Sequence, residues 1–178
     1  ITRLWREESV TFEGKYFQFR DVTISPKPLQ KRFPVWIGGS SVSAILRTAK
    51  FGTGWQAGFE TPEEVELIIC DIKKALLKER RHIEEDHYGA GFGFRFGSWD
   101  DDIVTVAASN YKAGSGRDPL NSIVAGTDCD IATRIEEYVN VGVSKFVLRP
   151  IARGDDDVVD QTSQLIEKVL PALESLGQ

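Results

Sequence analysis

Methionine is absent from this sequence, and cysteine and histidine occur only twice each. Without Met the chain carries no initiator, and its opening Ile1-Thr2-Arg3-Leu4-Trp5-Arg6 lacks the apolar centre of a signal peptide. That opening reads as the last turns of a helix, and the chain as a piece of something longer. Cys70 and Cys129 belong to no CxxC pair, and two cysteines are a poor disulfide framework for 178 residues. A reduced, cytoplasmic setting is expected. His82 and His87 form neither HxH nor HExxH, so they read as surface residues and no metal site is expected. No apolar run approaches the ~18–20 residues that a membrane span needs, which predicts no membrane association. Positive charge is not in excess: 22 Lys and Arg stand against 27 Asp and Glu, for a net charge of −5. That balance argues against nucleic acid as the main partner.

What is present is ordinary for a folded domain, with 41% hydrophobic and 28% charged residues. The length fits one domain. Residues 1–33 read as a hairpin and a Pro-rich connection. Aromatic and polar residues alternate over 9–24, Glu13-Gly14 supplies a turn, and Pro26, Pro28 and Pro34 keep the connecting segment extended. Residues 34–178 then alternate short strands with helices. The strands are Val35-Trp36-Ile37, Gly54-Trp55-Gln56-Ala57, Tyr88 to Gly97, Ile123-Val124-Ala125 and Lys145-Phe146-Val147-Leu148. The first helix has Val42, Ile45, Leu46 and Ala49 at apolar spacing. The second opens on Thr61-Pro62-Glu63-Glu64, an N-cap, a first-turn proline and a third-position acid. Further helices are expected over about 100–112, around Ile131, Ile135, Tyr138 and Val139, and from about Asp155, with a stripe of Val158, Val159, Thr162, Leu165, Ile166, Val169 and Leu173. The alternation predicts an α/β fold of four βα units on a parallel sheet, with one extra helix and short strand inserted in the third.

In such folds ligands bind beyond the carboxyl ends of the strands. That rule selects Gly38-Gly39-Ser40-Ser41, where two glycines permit close approach and a helix N-terminus offers free amides to an anion. A tight turn with a serine cap explains the same residues, and both readings stay open. Trp55 is either a platform for a flat ring or a core residue. Arg149 and Arg95 each need a ligand anion or a structural acid, with Asp155, Asp156 and Asp157 as candidates. The triplets Asp100-Asp101-Asp102 and Asp155-Asp156-Asp157 read as helix-start acids. No nucleophile–base arrangement emerges, so catalytic residues stay unassigned.

Several segments in order resemble the luciferase-like oxidoreductases. They include Val10-Thr11-Phe12-Glu13-Gly14-Lys15-Tyr16-Phe17, Pro34-Val35-Trp36-Ile37-Gly38-Gly39-Ser40-Ser41, Gly52-Thr53-Gly54-Trp55 and Phe146-Val147-Leu148-Arg149-Pro150. The stretch Asp86 to Phe92 is similar to members described as dependent on the deazaflavin F420. The resemblance implies a TIM-type (β/α)8 barrel of which this chain supplies the C-terminal half. It also implies FMN or F420 near Gly38, Gly39, Ser40 and Ser41; the residues themselves add Trp55 on the cofactor side and Arg149 and Arg95 as contacts to a small-molecule substrate. The implied activity is hydride transfer, or monooxygenation with reduced flavin. Half a barrel further implies association with an N-terminal half or a homo-oligomer; a non-catalytic half-barrel that binds a partner is the alternative.

Overall fold

A computed structural model describes residues 1–30 and 33–174. The chain divides into two compact units, Ile1–Pro34 and Val35–Gln178. In the first, helix α1 (Thr2–Arg6) precedes an antiparallel hairpin of β1 (Val10–Glu13) and β2 (Gln18–Val22). Phe12 and Phe19 stack across the hairpin, and the Lys27 ammonium donates to the carbonyls of Leu4 and Glu7 at the end of α1.

The second unit runs β3 (Trp36–Gly38), α2 (Val42–Phe51), β4 (Gly54–Gln56), α3 (Pro62–Glu79), β5 (Tyr88–Phe96), α4 (Asp102–Ser115), β6 (Ile123–Gly126), α5 (Asp128–Asn140), β7 (Lys145–Pro150) and α6 (Gly154–Gln164). A π-helical segment (Leu165–Val169) and α7 (Leu170–Glu174) complete it. All strand pairs of this sheet are parallel: β3 with β4, and β5 with β4, β6 and β7. The four expected units are therefore β3–α2, β4–α3, β5–α5 and β7–α6, with α4 and β6 inserted in the third.

Strand alternation divides the sheet into two faces. Trp55, Tyr88, Ala90, Phe92 and Phe94 lie on the side that forms the core with Val65, Ile68, Ile69 and Ile72 of α3 and Ile131, Ile135 and Tyr138 of α5. The opposite face carries Trp36, Gln56, Gly89, Gly91, Gly93 and Arg95, and the registers Gly91↔Val147 and Gly93↔Arg149 set Val147 and Arg149 beside them. The β5 glycines are needed because neighbours come close. A Cβ at Gly91 would collide with the Val147 carbonyl, and one at Gly89 would lie 3.0 Å from the Trp36 ring.

Two apolar stripes differ from expectation. In α2 the buried residues are Ala44, Thr48 and Ala49, whereas Val42 and Leu46 are exposed. Small side chains are selected there because α2 packs closely on its neighbours, and Thr48 returns its hydroxyl to the Ala44 carbonyl. In the last helix Val158, Val159 and Ile166 are exposed. Its inner line is Asp157, Gln161, Leu165, Val169 and Leu173, a four-residue repeat. That repeat outruns the 3.6-residue α-helical turn, and the wider π segment takes up the difference.

Candidate functional site

The turn after β3 is built by its sequence. Gly39 adopts φ +98°, a conformation that a side chain would strain, and Ser41 caps α2 by accepting the Ala44 amide on its hydroxyl. The amides of Val42 and Ser43 precede any intrahelical acceptor. A Cβ on Gly38 would meet nothing nearer than the Gln56 carbonyl at 3.8 Å. Ser40 and Ser41 are exposed. Turn, cap and free amides thus occur together at the carboxyl end of β3, with open space above Gly38.

Trp55 stands behind this turn. Its side chain is fully enclosed and offers no face to a ligand, so the platform reading gives way to a supporting one. The indole N–H donates to the Gly39 carbonyl at 3.0 Å and holds the turn from beneath. Trp36, which sequence reasoning passed over, is the half-buried indole on the opposite sheet face, near His87 and the start of the strands. His87 is not a simple surface residue: its Nδ1 donates to the Thr53 carbonyl at 2.8 Å. His82 is exposed.

The two arginines part company. Arg149 is exposed on β7 and has no side-chain partner among the described residues. Arg95 is engaged by the protein itself, which corrects its reading as a substrate anchor. Its Nε donates to Asp101 at 3.3 Å, and its Nη1 donates to the Ile151 carbonyl at 2.8 Å and to Asp157 at 3.1 Å. Asp101 consequently makes no side-chain cap to α4, as a helix-start acid would. Asp157 accepts the Arg153 amide at 2.7 Å, and that bond, together with the Arg95 guanidinium, holds its carboxyl below the usual carboxylate range. These side chains line a cavity of about 260 Å³ together with Asp102, Ile103 and Arg153. It lies where β5 and β7 end.

Two further polar residues shape the mouth. Glu60, after β4, is buried and accepts the amides of Gly58 (2.6 Å) and Phe59 (3.0 Å). Gln161 is buried and pairs with the Phe96 backbone in both directions, continuing the hydrogen bonding of β5 past its last strand neighbour. The signal for Gln161 was its place in a four-residue repeat, which a 3.6-residue reading skips.

The sequence model described as luciferase-like monooxygenase matches residues 1–119. The chain belongs to that family. Over 55 residues it is 38% identical to an F420-dependent glucose-6-phosphate dehydrogenase of Microbacterium testaceum, a stretch covering 31% of this chain and 16% of that enzyme. Over 71 residues it is 28% identical to an FMNH2-dependent dimethylsulfone monooxygenase of Pseudomonas putida, covering 39% of this chain and 20% of that enzyme. Among solved structures, an F420-dependent secondary alcohol dehydrogenase in complex with an F420-acetone adduct superposes with a TM-score of 0.73. That match is 16% identical and covers 94% of this chain but 58% of the dehydrogenase. The luciferase-like chain therefore has the α/β architecture of part of a (β/α)8 barrel, and it spans little more than half of that relative's length. Among its described residues no helix is long and apolar enough to cross a membrane.

Proposed function

We propose that this chain forms the cofactor-phosphate side of an F420- or FMN-dependent luciferase-like oxidoreductase acting on a small organic molecule. The observation that carries the reading is the Gly38-Gly39-Ser40-Ser41 turn, open above Gly38 and donor-rich at the start of α2. Both cofactors carry a phosphate, and the donor set fits that group: amides of Val42 and Ser43, with the hydroxyls of Ser40 and Ser41, on a helix whose dipole favours an anion. The names of the two curated relatives, one F420-dependent and one FMNH2-dependent, support either cofactor. When bound, the deazaflavin or flavin ring supplies the redox chemistry. This chain's residues bind and orient: the serines and amides hold the phosphate end, Trp55 keeps the turn in place, and Arg149 offers an unspent cation to an anionic group of the substrate.

Titration of the protein with FMN and with F420, monitored by fluorescence, tests this reading. Gly38→Ala is expected to leave the thermal midpoint unchanged, because the added methyl meets no protein atom closer than 3.8 Å. It is expected to weaken cofactor binding about tenfold, the equivalent of 1.4 kcal/mol. Binding of neither cofactor by the unaltered protein would rule the reading out.

A second reading, a half-barrel that self-associates without catalysis, draws on the sheet edges. Among the described residues β3 pairs only with β4 and β7 only with β5, and Val147 of β7 is 53% exposed. Sedimentation distinguishes it: a stable dimer that binds neither cofactor would favour this reading over the first.

A further inference from the structure

We propose that Arg95 is a positioning residue, a guanidinium clamp that fixes the loop after β5 against the loop after β7 and so shapes the mouth of the half-barrel. Beyond the sheet, each loop keeps one backbone tie to a strand, from the Gly97 amide to Gly126 and from the Ile151 amide to Phe94. The loop after β5 reaches α4 through Gly97, Ser98, Trp99 and Asp100, and its Asp101 carboxylate accepts both the Ser98 amide and the Arg95 Nε. The loop after β7 reaches α6 through Ile151, Ala152 and Arg153, and there Arg95 holds the Ile151 carbonyl and Asp157. Asp157 in turn holds the Arg153 amide.

One planar fork therefore satisfies three acceptors, Asp101 and the Ile151 carbonyl from the two loops and Asp157 from the first turn of α6. An ammonium is a point donor on a flexible stem and cannot reproduce this set. The Arg95 side chain is 18% exposed. Two acids against one Arg95 leave the trio at net −1, and Arg153, which lines the same cavity, adds an attraction to Asp157. That the mouth receives a flavin or F420 rests on the proposal above. The clamp does not.

Amide hydrogen exchange tests it, with Arg95→Ala leaving a guanidinium-shaped gap. Exchange at Ser98 and Arg153, whose amides rest on the two clamped carboxylates, is expected to rise about tenfold or more, one charge-assisted hydrogen bond's worth, while Ile151, bonded to the Phe94 carbonyl, and Ile69 and Ile72 in α3 keep their protection. Millimolar guanidinium should restore protection at the Ser98 and Arg153 amides, and methylammonium at the same concentration should not. Arg95→Lys, which keeps the stem and charge, should behave like the alanine variant at these amides and provides the comparison if the alanine variant loosens throughout. Wild-type exchange in Arg95→Lys, or equal rescue by methylammonium, would overturn the clamp. Cofactor titration of the same variants should show weakened binding that guanidinium recovers. Failure of the unaltered protein to bind either cofactor would remove the functional reading and leave the exchange result to decide the clamp.

Discussion

Among the described residues, the Tyr88 hydroxyl is buried with no hydrogen-bond partner. A buried, unsatisfied hydroxyl costs about 1–3 kcal/mol, so Tyr88→Phe is expected to raise stability by about 1 kcal/mol in urea denaturation. Trp55→Phe should act in the opposite direction. It deletes the donor to Gly39 and part of a fully buried ring, for a loss of about 2–3 kcal/mol, and it should weaken the phosphate binding proposed for the turn above it. Single residues were also where the sequence was least legible. Arg95 and Arg149 each come after apolar strand residues, and nothing in their spacing says which one meets an acid. The difference arises from geometry: α6 starts within reach of the end of β5, so Asp157 pairs with the arginine of β5 instead of the one on β7.

At the scale of elements, local chemistry was readable wherever it was self-contained. The start of α3 is a capping box, with the Thr61 hydroxyl accepting from the Glu64 amide and the Glu64 carboxylate accepting from the Thr61 amide. Glu64 also pairs with Arg117, just beyond α4. Thr61→Ala is expected to cost about 1 kcal/mol. Glu64→Gln should keep most of the cap and lose the charge pair, so its effect should shrink with added salt while that of Thr61→Ala does not. Thermal unfolding at two ionic strengths separates the two. Val65, Ile68, Ile69, Ile72 and Leu76, apolar at helical spacing in α3, are all buried, because its inner face meets large core side chains. The stripes of α2 and α6 were harder to read for opposite reasons. Close packing in α2 favours Ala and Thr over Val and Leu, and the π segment after α6 changes the period that a helical reading assumes.

The molecule as a whole should lose stability at both extremes of pH. Burial pushes the phenols of Tyr88 and Tyr138 up to about 12, from the usual 10.0. Their protonated forms are favoured by folding, so that contribution is complete below pH 10 and is lost as the pH rises toward 12. Tyrosinate absorbance should show two of the four tyrosines titrating late, together with unfolding. On the acid side, hydrogen bonds hold Asp130 and Asp157 below their usual 3.8, led by Thr127 and by the Arg153 amide respectively. Their contribution is complete above that value and fades as the pH falls through the lowered range; Asp157→Asn should remove part of the acid dependence. The alternation of strands and helices made the parallel α/β unit legible in full. The division of labour between the two sheet faces was not, since period-two alternation gives two faces without saying which one the helices cover.

Strand β5 sets an order on the birth of this fold. Among the described residues it is the longest strand, it carries one charged residue in nine, and it alone pairs with three others. Of those three, β4 precedes it, but β6 and β7 are made later, so a chain growing from its N-terminus holds Tyr88–Phe96 with an open edge until residue 150 has emerged. An aromatic, nearly uncharged edge of that kind is an adhesive surface for neighbouring nascent chains. Yield in a cell should therefore depend more on translation speed between residues 96 and 150 than on the stability of the finished fold.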